Sequence, residues 1–209
     1  MSRRRLPGQR AGLSRASVLA AARDLLREEG LDAVTMRAVA ERLGVTPNAL
    51  YSHVANKAAL IDDVLDDVLA EVQAPDPEHG DAPAGLHALM TSTYEVLLAH
   101  PDLVPLYLAR QGARGPNAQH LGRVVVALLG RTGVTGPAAQ EALRVLIVYA
   151  IGFAAFTTRS PLMPAHETGP SPDELARNFG RGLRWLLAGI GAPLDERRQR
   201  PPSDVRPGM

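Results

Sequence analysis

The segment Thr35–His53 constrains the fold more than any other stretch of the chain. Two short runs with helical apolar spacing flank Gly44-Val45. The first is capped by Thr35, reaches Leu43, and turns Met36, Val39, Ala40 and Leu43 inward. Thr46 then Pro47 has the pattern of a new helix start, an N-cap followed by proline at the first helical position. That second helix is expected from Pro47 to about His53. Two short helices about a glycine turn form the helix-turn-helix pattern. Val39, Ala40, Leu43, Val45 and Leu50 are the residues available to hold the pair together.

The outward positions then carry the chemistry. The second helix of such a pair enters the major groove at its N-terminal end. Thr46, Pro47, Asn48 and Ala49 therefore lie nearest base edges. Asn48 can pair with adenine, and Pro47 or Ala49 can pack on a thymine methyl. Arg37 is placed for a guanine or a phosphate. Tyr51, His53 and Lys57 suit phosphate oxygens; Lys57 is the chain's one lysine. Arg3, Arg4 and Arg5 can follow the backbone or enter the minor groove. Each has a plainer reading. Tyr51 can cap the small core, His53 can be a structural donor, and the arginines can be solubilising.

Elsewhere the pattern is helical throughout. A first helix is expected from Ser14 or Arg15 to Glu29, with Val18, Ala22, Leu25 and Leu26 on one face and Gly30 as a left-handed stop. Asn56 caps a helix from Lys57 to about Gln73, and Asp62, Asp63, Asp66, Asp67 and Glu71 read as its solvated face. Residues 74–84 read as a proline-rich loop. Further helices are expected at about 85–99, 102–110, 117–131, 137–159 and 172–190, with a loop at 160–171. No stretch alternates with period 2 long enough for a strand. The expected fold is all-α, an N-terminal helix-turn-helix domain followed by a helical ligand-binding and dimerisation domain. Its expected divisions are a flexible basic arm (1–12), the DNA-binding domain (13–57), the effector domain (58–191) and a disordered tail (192–209).

Net charge is only +1, which hides a split. Residues 1–57 hold ten basic and five acidic side chains, and the other 152 hold 13 basic and 17 acidic. A +5 end beside a −4 remainder suits a nucleic-acid-facing end. Absence of cysteine excludes a disulfide scaffold, a thiolate zinc site and a cysteine nucleophile. His79, His87, His100, His120 and His166 lack metal-ligand spacing. No triad, P-loop or dinucleotide-binding glycine pattern occurs, so no enzyme activity, metal or cofactor is expected. The basic N-terminus lacks the apolar run of a secretory signal. The longest apolar run, Val145–Phe156, is shorter than the ~20 residues of a membrane span. No membrane partner and a cytoplasmic location are therefore expected.

The block LGV-x-x-x-x-LY-x-HV-x-NK-x-x-L, within residues 13–73, resembles the TetR family of transcriptional regulators. The resemblance implies a homodimer that reads a palindromic double-stranded DNA operator, and repression released by a small-molecule effector. It implies DNA contacts at Thr35, Arg37, Thr46, Pro47, Asn48, Ala49, Tyr51, His53 and Lys57. Tet repressors hold a magnesium chelate with histidines; by rough register these fall at Gln73 and near Tyr107, so no metal ligand carries over. Alternatives are a regulator working without a small ligand, as an activator or with a protein partner, and a soluble helical enzyme or carrier.

A pocket is expected between the later helices, walled by Met90, Tyr94, Leu97, Leu98, Leu103, Leu106, Tyr107, Leu128, Tyr149, Phe153 and Phe156. As single residues these read equally well as plain core. The helix at 137–159 is apolar nearly all round and is expected to be buried on every side, partly by a second subunit. The helix at 172–190 is expected to join it through Leu175, Phe179, Leu183, Leu186 and Leu187, with Ala176 and Gly182 allowing close approach.

Overall fold

A computed structural model describes residues 13–158 and 170–191. The arm, most of the 160–171 loop and the tail lie outside the described residues. Those described fold into nine α-helices and no strand. They are α1 (Arg15–Glu29), α2 (Met36–Leu43), α3 (Pro47–Leu50), α4 (Lys57–Val68), α5 (Ala82–Ala99), α6 (Val104–Arg110), α7 (Pro116–Arg131), α8 (Gly136–Thr158) and α9 (Pro172–Ile190). Single 3-10 turns extend α4 (Leu69–Glu71) and precede α6 (Pro101–Leu103).

Local side chains start most of these helices. Ser14, Thr35, Asn56, Asp81 and Ser171 each accept a hydrogen bond from the third residue of the helix that follows. Ser14 and Ser171 form reciprocal boxes with Ser17 and Glu174. Asp81 starts α5 at Ala82, three residues before the expected start. Three expectations need correction. Thr46 makes no side-chain cap, and α3 ends at Leu50, with a turn carrying the chain to His53. Gly30 has positive φ but an extended ψ of 178°, not the left-handed helical one.

One apolar core runs from Val18 on α1 to Leu183 on α9. α1 packs on α2 and α4, and α2 on α3. α5 is the centre of the larger part, touching α7, α8 and α9, while α6 lies on α8. The proline-rich loop is tied down. The Arg131 guanidinium donates to the carbonyls of Pro77, His79 and Gly80 at 2.9, 3.1 and 2.6 Å.

The acidic face of α4 is only in part the solvated face expected: Asp62, Asp67 and Glu71 stay open to water but are ion-paired, and Asp66 is buried. Asp63 pairs with Arg15 at 2.6 Å, Arg23 reaches Asp67 and Glu71, and His100 meets Glu71 at 2.9 Å. Asp62 pairs with Arg110 of α6. Asp66 is buried, 5% exposed, between α4 and α7. α4 is thus fastened to α1 on one side and to α6 and α7 on the other.

Nor is α8 enclosed. It has the length and composition of a membrane-spanning helix. Its small residues Ala139, Ala142, Ala150 and Ala154, with Leu146 and Ile151, are buried in the core. Val145, Val148 (70% exposed) and Phe156 (64%) stand out on the other side, and Trp185 (71%) is exposed on α9. On α9, Phe179 and Leu183 are buried within the same chain rather than on an outer face. Gly182 admits the Tyr149 hydroxyl, which a Cβ there would meet at 2.3 Å.

Candidate nucleic-acid interface and central cavity

The turn between α2 and α3 closes as the sequence demands. Gly44 takes the left-handed conformation (φ 66°, ψ 32°), and its N–H donates to the carbonyls of Ala40 and Glu41. Val45 N–H donates to the Ala40 carbonyl at 3.0 Å. Val39 and Leu50 are fully buried beneath. Arg42 donates to both carboxylate oxygens of Glu28 at 2.7 Å, clamping α2 on α1.

Nine side chains were expected at DNA, and six of them are exposed. Thr35, Arg37, Thr46, Pro47, Asn48 and Tyr51 are exposed; Ala49, His53 and Lys57 are half-buried. Thr35 spends its oxygen on the Ala38 N–H at 3.0 Å. The Tyr51 ring is 53% exposed, so it does not cap the core. Lys57 Nζ donates to the Leu31 carbonyl at 3.0 Å, between α1 and α2. An ammonium has three donors, so two stay available. The order Pro47-Asn48-Ala49 puts an amide and two small apolar groups at the open start of α3.

The larger part encloses a cavity of about 100 Å³ among α5, α6, α7 and α8. Three of the eleven residues expected at a ligand line it: Met90, Leu97 and Tyr107; Leu98 packs half-buried against the core. Leu103, Leu106 and Leu128 are core. Tyr94, Tyr149 and Phe153 gather round Phe179 instead, with Tyr94 stacked on it at 4.0 Å. That cluster is pinned by Tyr94 Oη to Thr157 Oγ1 at 2.9 Å and by the Tyr149 hydroxyl donating to the Phe179 carbonyl at 2.8 Å. Phe156 lies on the outer face of α8. Missing from the expectation were Leu89, Thr93, Gln111, Leu121, Val125, Leu143 and Ile151. Leu121 and Val125 share the inward stripe of α7 with Leu128, so that spacing was a usable signal.

Tyr107 links the cavity to α4. Its hydroxyl donates to the Leu65 carbonyl, and burial pushes its pKa well above the ordinary tyrosine range. The next residue, Asp66, accepts from the backbone N–H groups of Asn117 and Ala118 at 3.1 and 2.9 Å. It therefore caps α7, whose own N-cap is Gly115. The Asn117 amide returns a bond to the Asp66 carbonyl at 3.0 Å. A Cβ at 115 would lie 2.3 Å from the Asp66 carboxyl carbon, so glycine is required there.

Residues 18–64 match the model of the bacterial regulatory proteins, tetR family. The match falls on the helix-turn-helix and the helices that brace it. The tetracycline repressor protein class A from transposon 1721 of Escherichia coli is 53% identical over 55 residues, 26% of each chain. SCO7704 of Streptomyces coelicolor superposes with a TM-score of 0.64 at 32% identity, covering 88% of this chain and 98% of that one. The chain belongs to the tetR family. Another TetR family protein, ActR of Streptomyces coelicolor in complex with actinorhodin, gives a TM-score of 0.73 at 28% identity, over 86% of this chain and 96% of that one. The match to the class A tetracycline repressor spans about a quarter of that protein's length. Likeness to such TetR sequences is thus greatest in the DNA-binding domain, while the fold likeness extends through the helical domain that follows.

Proposed function

We propose that this TetR-family regulator is a homodimeric repressor that leaves its operator when a small molecule enters the central cavity. The observation that carries the reading is the line of contact from Tyr107 to α4. Tyr107 borders the cavity and bonds α4 at Leu65, and Lys57 at the other end of α4 bonds the Leu31 carbonyl of the head. A ligand that displaced the phenol would free α4 to tilt, moving α3 with it. Paired half-sites about 34–36 Å apart tolerate little such movement. The ligand's preference for one state must supply the shift. On this reading residues 13–57 are the DNA-reading unit and 58–191 the effector and dimerisation unit, working in the cytoplasm.

The bare apolar surface of α8, with Trp185 of α9, supports a two-fold interface built from those helices and their mates. The repressor name of the class A relative and the actinorhodin bound to ActR support repression and a small effector. Base reading is assigned to Pro47, Asn48 and Ala49, with phosphate contacts at Arg37, Tyr51, His53 and Lys57. A gel shift with the DNA upstream of its own gene, repeated across salt, tests this. Affinity should fall steeply with log salt. Tyr51→Phe should weaken all sequences alike, and Asn48→Ala should change sequence preference. Unchanged preference in Asn48→Ala removes its base-reading role.

A second reading, regulation without a small ligand, has one observation in its favour. The cavity of about 100 Å³ is below the ~300–1,000 Å³ of ordinary ligand sites. A thermal-shift screen decides between the two, since a ligand that binds the native state raises its melting temperature. An effector found there should also release the operator.

A further inference from the structure

We propose a second small-molecule site, separate from the central cavity, that takes an apolar compound carrying a carboxylate. It is the groove where the start of α5, the end of α7 and the last turns of α9 meet. Its volume is about 700 Å³, within the ~300–1,000 Å³ of sites that hold whole ligands. Leu86, Leu129, Leu187 and Ile190 give it apolar walls, and His87 and Arg184 are its titratable members. Among the described residues no aspartate or glutamate lines it.

Among the described residues two polar atoms of α5 lack partners, one of them on His87, which lines this groove. His87 Nε2 and Thr91 Oγ1 are buried without a hydrogen bond. Buried polar atoms are nearly always bonded, so an exception requires an explanation. The two residues lie one turn apart on α5, on the stripe that continues to Tyr94. Tyr94 stacks on Phe179 of α9, so this stripe faces α9. Opposite sits Gly180. A Cβ there would be 3.9 Å from His87 Nε2 and 3.8 Å from Arg184 Nη1. Ring nitrogen and guanidinium therefore converge on one spot over bare backbone. Among the described ion pairs, neither has an acidic partner. A planar carboxylate accepts from a guanidinium edge and from an imidazole N–H at once. The apolar walls would hold the rest of the molecule, and a cationic ligand would meet Arg184 and no acid.

Titration of the full chain with 2-naphthoate and its neutral amide, 2-naphthamide, tests the site by calorimetry. Naphthoate should bind with Kd below about 1 mM. Arg184→Gln and His87→Leu should each weaken naphthoate by about tenfold or more and leave naphthamide unchanged. Without the probe, His87→Leu should melt no lower than wild type, because an apolar group replaces an unpartnered nitrogen. That separates lost affinity from lost folding. Ala118→Leu, which intrudes on the central cavity, should leave naphthoate binding intact. The proposal is overturned if naphthoate does not bind, if Ala118→Leu abolishes its binding, or if the two groove variants weaken acid and amide equally.

Discussion

α4 and α8 meet their surroundings in opposite ways. α4 carries Asp62, Asp63, Asp66, Asp67 and Glu71, a composition that reads as a face turned to water, yet all five acids are engaged by α1, α6, α7 or His100. α8 is apolar almost throughout, which reads as enclosure partly by a second subunit, and within the single chain it leaves Val148 and Phe156 bare. The difference shows that periodicity gives the direction a side chain points but not what stands opposite. Charges on α4 are matched by residues far along the chain. Among the described residues the apolar side chains on α8's outer side have no match, and the proposed second copy would supply one.

The comparison can be broken most sharply at α8. Val148→Asp should convert the proposed dimer to monomer, since charge in the centre of an interface costs more than about 2 kcal/mol. Light scattering reads the mass directly. A variant that remained dimeric would mean the bare face of α8 has another use.

Next in size is Asp66→Ala, which should destabilise the fold by about 2–4 kcal/mol, because it removes a helix cap and strands two part-buried N–H groups. Urea unfolding should show a lower midpoint at unchanged slope. Asp66→Asn keeps an acceptor and should lose less. If Asp66→Ala costs nothing, α4 is not fastened to α7 in the way described.

Tyr107→Phe should cost about 1 kcal/mol, the net worth of one hydrogen bond. It also has a pH signature. The folded chain holds the Tyr107 proton above the ordinary tyrosine pKa of about 10. Its contribution is therefore complete below that pH and is lost as pH rises through the folded value. Stability measured from pH 8 to 11 should fall less steeply in the phenylalanine variant.

Smallest is Arg110→Ala. Its partner Asp62 is 56% exposed, so the loss should stay under about 1 kcal/mol and shrink with salt. An effect as large as that of Asp66→Ala would place the fastening of α4 at α6 rather than α7.

Much of this architecture was legible from local chemistry. Ser14, Thr35 and Asn56 announce their helices because a cap and its N–H lie three residues apart. α9 matched its expected bounds, and α7 and α8 matched theirs within a residue. Asp66 was not legible, because its partners are 51 and 52 residues away. The trace it left was indirect. Gly115-Pro116 opens α7 without a capping side chain, so a cap had to come from elsewhere. The cavity was legible only in part. Its walls come from five elements, and the aromatic residues that seemed best suited to a ligand stack on each other round Phe179.

Trp185 is the chain's one tryptophan and is 71% exposed on α9. Its fluorescence therefore reports a single address. A second copy settling over that face would shift the emission to the blue and shield it from iodide. Dilution would reverse both, so self-association can be followed without a label.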